Sequence, residues 1–136
     1  MPNTGRREIL VFGATGGTGA AIVHTAQAQD FGVRVFVRDG SRATQLFNGF
    51  IGRLQIIEGD AMNADDVRRA FGSTPDAVMC SLGIYQRQSG RDDLTQATAH
   101  IIAAMQATGS KRLVCISSLG VGDSCGQGDF ITRLLQ

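Results

Sequence analysis

Ile9-Leu10-Val11-Phe12-Gly13-Ala14-Thr15-Gly16-Gly17-Thr18-Gly19 decides how the rest of the chain is read. Four apolar residues run into glycines spaced G-x-x-G-x-x-G, and the helix-compatible Ala20-Ala21-Ile22-Val23 follows. The pattern predicts a buried strand, a tight turn and a helix N-terminus. Such a junction gathers unpaired backbone N–H groups and the positive end of a helix dipole at one spot, which suits phosphate. In this reading Gly13 permits the sharp turn and Gly16 lets backbone approach a pyrophosphate, while Gly19 lets the helix pack close to the strand. The spacing is not the G-x-G-x-x-G form, and the motif draws its weight from lying between strand and helix. The alternative is a tight turn with no ligand.

Outward from this turn, the sequence alternates strands and helices. It predicts strands at residues 8–12, 33–37, 54–58, 77–81 and 112–117, short and apolar almost throughout, as for parallel strands covered on both faces. Helices are predicted over residues 18–29, 41–47, 64–71 and roughly 92–108. In the last, Leu94, Ala97, Ile101 and Met105 recur at helical spacing and form a stripe to face the sheet. Asn63 is placed to cap the third helix, with Asp65 and Asp66 in its first turn. Gly32 and Gly109 read as stops after the first and fourth helices. The fold class is therefore α/β, a Rossmann-like doubly wound parallel sheet of five strands in the order 3-2-1-4-5. Ligand is expected in the crevice between strands 1 and 4.

At 136 residues the chain reads as a single domain with a substantial core. Hydrophobic residues make up 43% and charged residues 18%, as in a globular protein. Thirteen basic against twelve acidic residues leave a net charge of +1, which gives no support to nucleic acid as a bulk electrostatic partner. No apolar run approaches the roughly 20 residues that span a bilayer. The polar Met1–Glu8 and the absence of a cleavage pattern point to a cytoplasmic protein. Cys80 and Cys115 fall in strand-like runs and read as buried free thiols, and Cys125 lies in a glycine-rich loop. No cysteine or histidine spacing indicates a metal.

The end of the second strand bears on the nicotinamide cofactor. A site for NAD usually places Asp or Glu there to accept from the ribose hydroxyls. Here the strand ends Val37-Arg38-Asp39, with Ser41 and Arg42 behind it. Arg38 suits a 2′-phosphate and the adenine face, Arg42 supplies a second charge and Ser41 a hydroxyl, which favours NADP(H) over NAD(H). Two solvated surface arginines are the alternative, and Asp39 is a competing candidate for the NAD role. Asp60, in Gly59-Asp60-Ala61 after the third strand, either accepts from the adenine amino group or ends the strand in a turn. Gly83, in Ser81-Leu82-Gly83, lets backbone lie close to the cofactor ribose. Ser117 and Ser118 after the fifth strand either polarise a substrate carbonyl or satisfy strand-end backbone. His24 and His100 fall on helices, away from the expected carboxyl edge, and read as structural or solvent-facing rather than catalytic.

Gly13–Gly19, Val37-Arg38-Asp39, Gly59-Asp60 and Ile116-Ser117-Ser118 together resemble the atypical short-chain dehydrogenase/reductases. Within them the chain is most similar to the NAD(P)H-binding, NmrA-like proteins and the biliverdin/flavin reductase type, over about residues 8–122. The resemblance implies that Thr15, Gly16, Gly17 and Thr18 hold the pyrophosphate, and Arg38, Ser41 and Arg42 the 2′-phosphate. It further implies that Asp60 and Ala61 flank the adenine and that Leu82 and Gly83 contact the ribose. Ser118 matches the active-site serine position of reductase members. Two departures stand out. The Tyr-x-x-x-Lys pair common in short-chain dehydrogenases is absent, because four residues after the single tyrosine, Tyr85, stands Ser89, and Lys111 is the single lysine. Flavin-type reductases resemble the chain in this respect, since a readily reduced acceptor mainly needs positioning. Relatives also continue past this point, so the expectation is a C-terminally truncated chain with most of a cofactor site and little of a substrate site. The implied activity is NADPH-dependent hydride transfer to a small flavin-like, quinone or carbonyl acceptor. A non-catalytic NADP(H)-binding redox sensor is the alternative.

Overall fold

The computed structural model describes residue 5, residues 7–83 and residues 91–116. Its elements run β1 (Glu8–Phe12), α1 (Gly17–Ala28), β2 (Gly32–Val37), α2 (Gly40–Leu46), β3 (Leu54–Glu58), α3 (Ala64–Phe71), β4 (Ala77–Cys80), α4 (Arg91–Thr108) and β5 (Leu113–Cys115). All strand pairs are parallel and the order is β3-β2-β1-β4-β5, as the strand–helix alternation predicts. β1 pairs with β2 on one side and β4 on the other, so the crevice at the carboxyl end of β1 opens toward Ser81. Ser117, Ser118, Tyr85, Ser89 and Cys125 lie outside the described residues.

Strand alternation divides the core into two layers. Ile9 and Val11 of β1 join Val33, Val35 and Val37 of β2 beneath α1 and α2, with Val23, Ala26, Ala43 and Phe47. Leu10, Phe12 and Phe36 face the opposite side, against Val67, Ala70 and Phe71 of α3 and Ile101, Ala104 and Met105 of α4. The predicted stripe on α4 is thus core-facing: Ala97, Ile101 and Met105 are buried. Phe12 anchors this layer, its ring 5.1 Å from Phe36 and 6.3 Å from Phe71 by centroid.

Helix α3 opens as expected, with the Asn63 side chain accepting from the N–H groups of Asp65 and Asp66. Gly109 closes α4 with φ +77°. Gly32 is not a helix stop. It is the buried first residue of β2, and the left-handed residue after α1 is Asp30 (φ +57°), a position aspartate tolerates. Cys115 also departs from expectation. It lies on the edge strand, with β4 as a neighbour on one side, and is exposed.

Arg34 is the principal surprise of the fold. It stands in a run of valines and phenylalanine on β2 and is 4% exposed. Its side chain points into the α3 layer, where Nη1 donates to the carbonyls of Ala70 (2.9 Å) and Phe71, and Nη2 to Ser73 O (2.6 Å). Its Nε donates to Glu8 Oε1, which completes an ion pair. One guanidinium thereby closes the C-terminus of α3, where backbone carbonyls lack partners within the helix, and ties it to β1.

Cys80 ends β4 in the interior, and burial pushes its thiol up to about 11 from 9.0. The folded chain holds this proton more tightly than the unfolded chain does. The associated stability is therefore complete below pH 9 and drains away as pH climbs toward 11. Urea midpoints measured across this window should fall more steeply for the native sequence than for Cys80→Ala. Parallel curves would rule out this thiol as the cause.

Candidate functional site at the carboxyl ends of β1 and β4

The turn after β1 is shaped by two close approaches. Gly13 adopts φ +76°, and a Cβ there would lie 2.5 Å from Ser81 O. A Cβ on Gly19 would lie 2.0 Å from Gly13 O. Glycine at both positions therefore clamps the turn between the end of β4 and the first turn of α1. Gly16 bonds back to Gly13 O at 3.2 Å and is the residue before the helix. Gly17 faces open space.

Ser81 holds the two strand ends together. Its N–H donates to Phe12 O at 3.0 Å, and its hydroxyl is shared between Phe12 O (3.0 Å) and Gly13 O (3.2 Å). Its use lies in a contact between strands 69 residues apart, which local sequence does not reveal.

The helix starts differ in a way that marks this turn. Asp39 caps α2 by accepting from Arg42 N at 2.9 Å, and Asn63 caps α3. α1 has no side-chain cap and no acid in its first turn. Its leading N–H groups, with the helix dipole behind them, are left for an outside acceptor. Thr15 and Gly16 are partly buried at this start, and Thr18 is exposed. A diphosphate fits this cradle: small residues at the approach, outward donors and no competing carboxylate.

A second cluster lies beyond the carboxyl ends of β2 and β3. Arg38, Glu58, Gly59, Asp60, Asp66 and Arg69 line a groove of about 480 Å³. Gly59 forms part of its floor, since a Cβ there would meet the Phe36 ring at 2.8 Å. Arg69 pairs with Asp66 at 2.9 Å and donates to Glu58 O at 3.1 Å. The N–H of Asp60, 3.0 Å from Asp66 Oδ2, is the main cause holding the Asp66 carboxyl below its ordinary value, and Arg69 adds to it. Asp60 Oδ1 accepts from Met62 N at 2.9 Å, so this residue does make the turn. Arg38 is exposed and lacks an ion-pair partner among the described residues.

The expected site residues are thus brought to one edge of the sheet in two groups. Gly13, Thr15, Gly16, Gly17, Thr18 and Gly19 surround the first turn, with Leu82 and Gly83 following β4. Arg38 and Asp60 belong to the second, Ala61 follows Asp60 outside the groove lining, and Ser41 and Arg42 are exposed on the first turn of α2. Asp39 is spent on its cap. His100 stands closer to this edge than its helix position suggests, its Nδ1 2.9 Å from Ala61 O. His24 is exposed and lies against the Phe47 ring. Glu58 and Arg69 escape sequence reasoning, because their place in the groove follows from how β3 and α3 meet. No group of acids, cysteines and histidines among the described residues could hold a metal ion. No described helix is long and apolar enough to cross a membrane.

Comparison with known proteins agrees with this fold. The chain is 31% identical over 121 residues to a 3-diazoavenalumate denitrifying reductase of a Streptomyces species, covering 80% of this chain and 37% of the relative. It is 30% identical over 129 residues to an uncharacterized chloroplastic protein of Arabidopsis thaliana, covering 89% and 45%. The chain therefore spans less than half the length of these relatives. Among solved structures it is similar to the anaerobilin reductase ChuY of Escherichia coli. The TM-score is 0.76 at 26% identity over 94% of this chain and 59% of that one. A UDP-glucose-4-epimerase of Stenotrophomonas maltophila with bound NAD shares the fold, with a TM-score of 0.73 at 20% identity over 89% of this chain and 40% of that one. The family model described as NAD(P)H-binding matches residues 13–134, and the chain belongs to that family.

Proposed function

We propose that this chain is the cofactor-binding portion of an NADPH-dependent oxidoreductase that passes hydride to a small flavin-like, quinone or carbonyl acceptor. The observation that carries the reading is the uncapped start of α1, pinned by Gly13 and Gly19 at the switch between β1 and β4. Backbone N–H groups around Gly16, Gly17 and Thr18 would hold the diphosphate, with Thr15 beside them. Leu82 and Gly83 would flank the ribose. Arg38 would hold the 2′-phosphate, with Ser41 and Arg42 adjacent, and Asp60 and Ala61 would flank the adenine. The cofactor supplies the hydride chemistry when bound. The chain's part is to orient it at the sheet edge, and Ser118 would orient the acceptor. The reductases among the relatives support this reaction class.

Fluorescence titration with NADPH and NADH, followed by NADPH oxidation with FMN and quinone acceptors, tests the proposal. Binding to neither nucleotide would sink it. Arg38→Ala is expected to weaken NADPH by about tenfold to a hundredfold, the range for losing a hydrogen bond to a charged group, and NADH by less than twofold. Equal losses would remove the preference for NADPH.

A second reading is a non-catalytic NADP(H)-binding sensor of NmrA-like type. It accords with Ser89 standing where a Tyr-x-x-x-Lys pair would need lysine, an absence shared with the flavin-type reductases, so turnover is what separates the two readings. Tight binding without turnover toward any acceptor would select it.

A further inference from the structure

The groove that takes the adenine end in the proposed function is not simply cationic. Three carboxylates, Glu58, Asp60 and Asp66, line it against two guanidiniums, Arg38 and Arg69. Their charges are not equivalent. Asp66 is paired with Arg69 at 2.9 Å and also accepts from the Asp60 N–H. Asp60 turns one oxygen back to Met62 N. Glu58, like Asp60, is in no ion pair among the described residues, but it is the one tied to the segment that carries Arg38, its Oε2 accepting from Gly40 N at 2.7 Å. That bond holds the side chain against the start of α2. A Cβ on Gly40 would lie 2.6 Å from that oxygen, so glycine there lets the carboxylate settle against the start of α2.

We infer that Glu58 is a specificity-determining residue: its pinned carboxylate sets an upper limit on the preference of this site for a 2′-phosphorylated nucleotide. The inference rests on the dinucleotide-binding reading above. Arg38 attracts a phosphate dianion into the groove, and Glu58, sharing the same lining, repels it. A nucleotide with a free 2′-hydroxyl carries no charge at that atom and escapes most of this repulsion. The two residues thus act in opposition on NADPH and only weakly on NADH.

The test is the pair of dissociation constants for NADPH and NADH, measured at low and fixed ionic strength on the native chain and on Glu58→Gln. Glutamine retains an oxygen for Gly40 N, so the start of α2 is kept while the charge is lost. NADPH is expected to bind roughly threefold to tenfold more tightly, the scale of one unit charge acting on a phosphate inside a Debye length, with NADH changed less than twofold. Glu58→Thr, which suits a strand and removes the carboxylate, should shift the ratio in the same direction. Asp65→Asn removes an exposed acid of α3 that lies outside the groove lining and should leave the ratio unchanged.

An unaltered ratio in Glu58→Gln, equal gains for both nucleotides, or an equal gain in Asp65→Asn would overturn the inference alone. Failure of the native chain to bind either nucleotide would overturn the proposed function and this inference with it.

Discussion

Gly19→Ala is expected to cost more than tenfold in nucleotide affinity and about 1–3 kcal/mol in stability, the usual range for overpacking a tight contact. The added methyl would lie 2.0 Å from Gly13 O, 2.7 Å from Gly13 C and 2.8 Å from Ala14 Cα. All three are backbone atoms, so no side-chain rotation relieves the clash. Nor can the turn yield in the other direction, because Gly13 is already packed against Ser81. The helix must therefore move off the turn, and the N–H groups at its start move with it. Gly17→Ala is the matching control for stability alone, since Gly17 belongs to the proposed diphosphate cradle. Nothing lies within 4 Å of a Cβ there, and alanine is worth roughly 0.5–1 kcal/mol over glycine within a helix. Chemical denaturation separates the two variants, and NADPH titration is read on Gly19→Ala. Native-like affinity in Gly19→Ala would show that helix approach does not govern the site.

Arg34→Met is expected to destabilise the fold by about 3 kcal/mol or more, as when one partner of a buried ion pair is removed. Methionine is a reasonable match for the buried stem but donates nothing. The carbonyls of Ala70, Phe71 and Ser73 and the carboxylate of Glu8 would lose their shared donor in a largely dry setting. Lysine should recover only a part, because its ammonium lacks the planar fork that serves a helix end and a carboxylate together. The melting temperature should fall by on the order of 10 °C. Nucleotide affinity of the remaining folded protein should change little, since Arg34 pairs with the first residue of β1, at the opposite edge of the sheet from the glycine turn. A melting temperature equal to that of the native chain would refute this account.

The sheet was readable from sequence because its strands are short apolar runs separated by helical stripes, and parallel order follows from that alternation. Gly13 and Gly19 were readable because a strand–turn–helix junction restricts what can stand at each position. Arg34 left a trace, a charge inside an otherwise apolar strand, which requires a partner when buried. Its carbonyl acceptors lie 36 to 39 residues away, at a helix end whose position depends on the finished fold. Glu58, Arg69 and Ser81 left less. Each is an ordinary polar residue whose meaning comes from a neighbour brought in by tertiary packing. Gly32 misled because a glycine after a helix has two uses, as a helix stop or as a strand start against another chain segment. Here a Cβ would meet the Arg53 guanidinium at 2.8 Å.

The corner after β2 turns on whether a position is odd or even. Arg38 lines the groove, while its neighbour Asp39 turns away to begin α2. Successive residues of an extended chain face opposite sides, so sorting the base from the acid needs only the count of residues from the last paired position of the strand. A single deletion between Val37 and Gly40 would bring the acid to the groove in place of the base. If Arg38 holds the 2′-phosphate as proposed, nucleotide choice would be stored in chain phase as much as in residue identity.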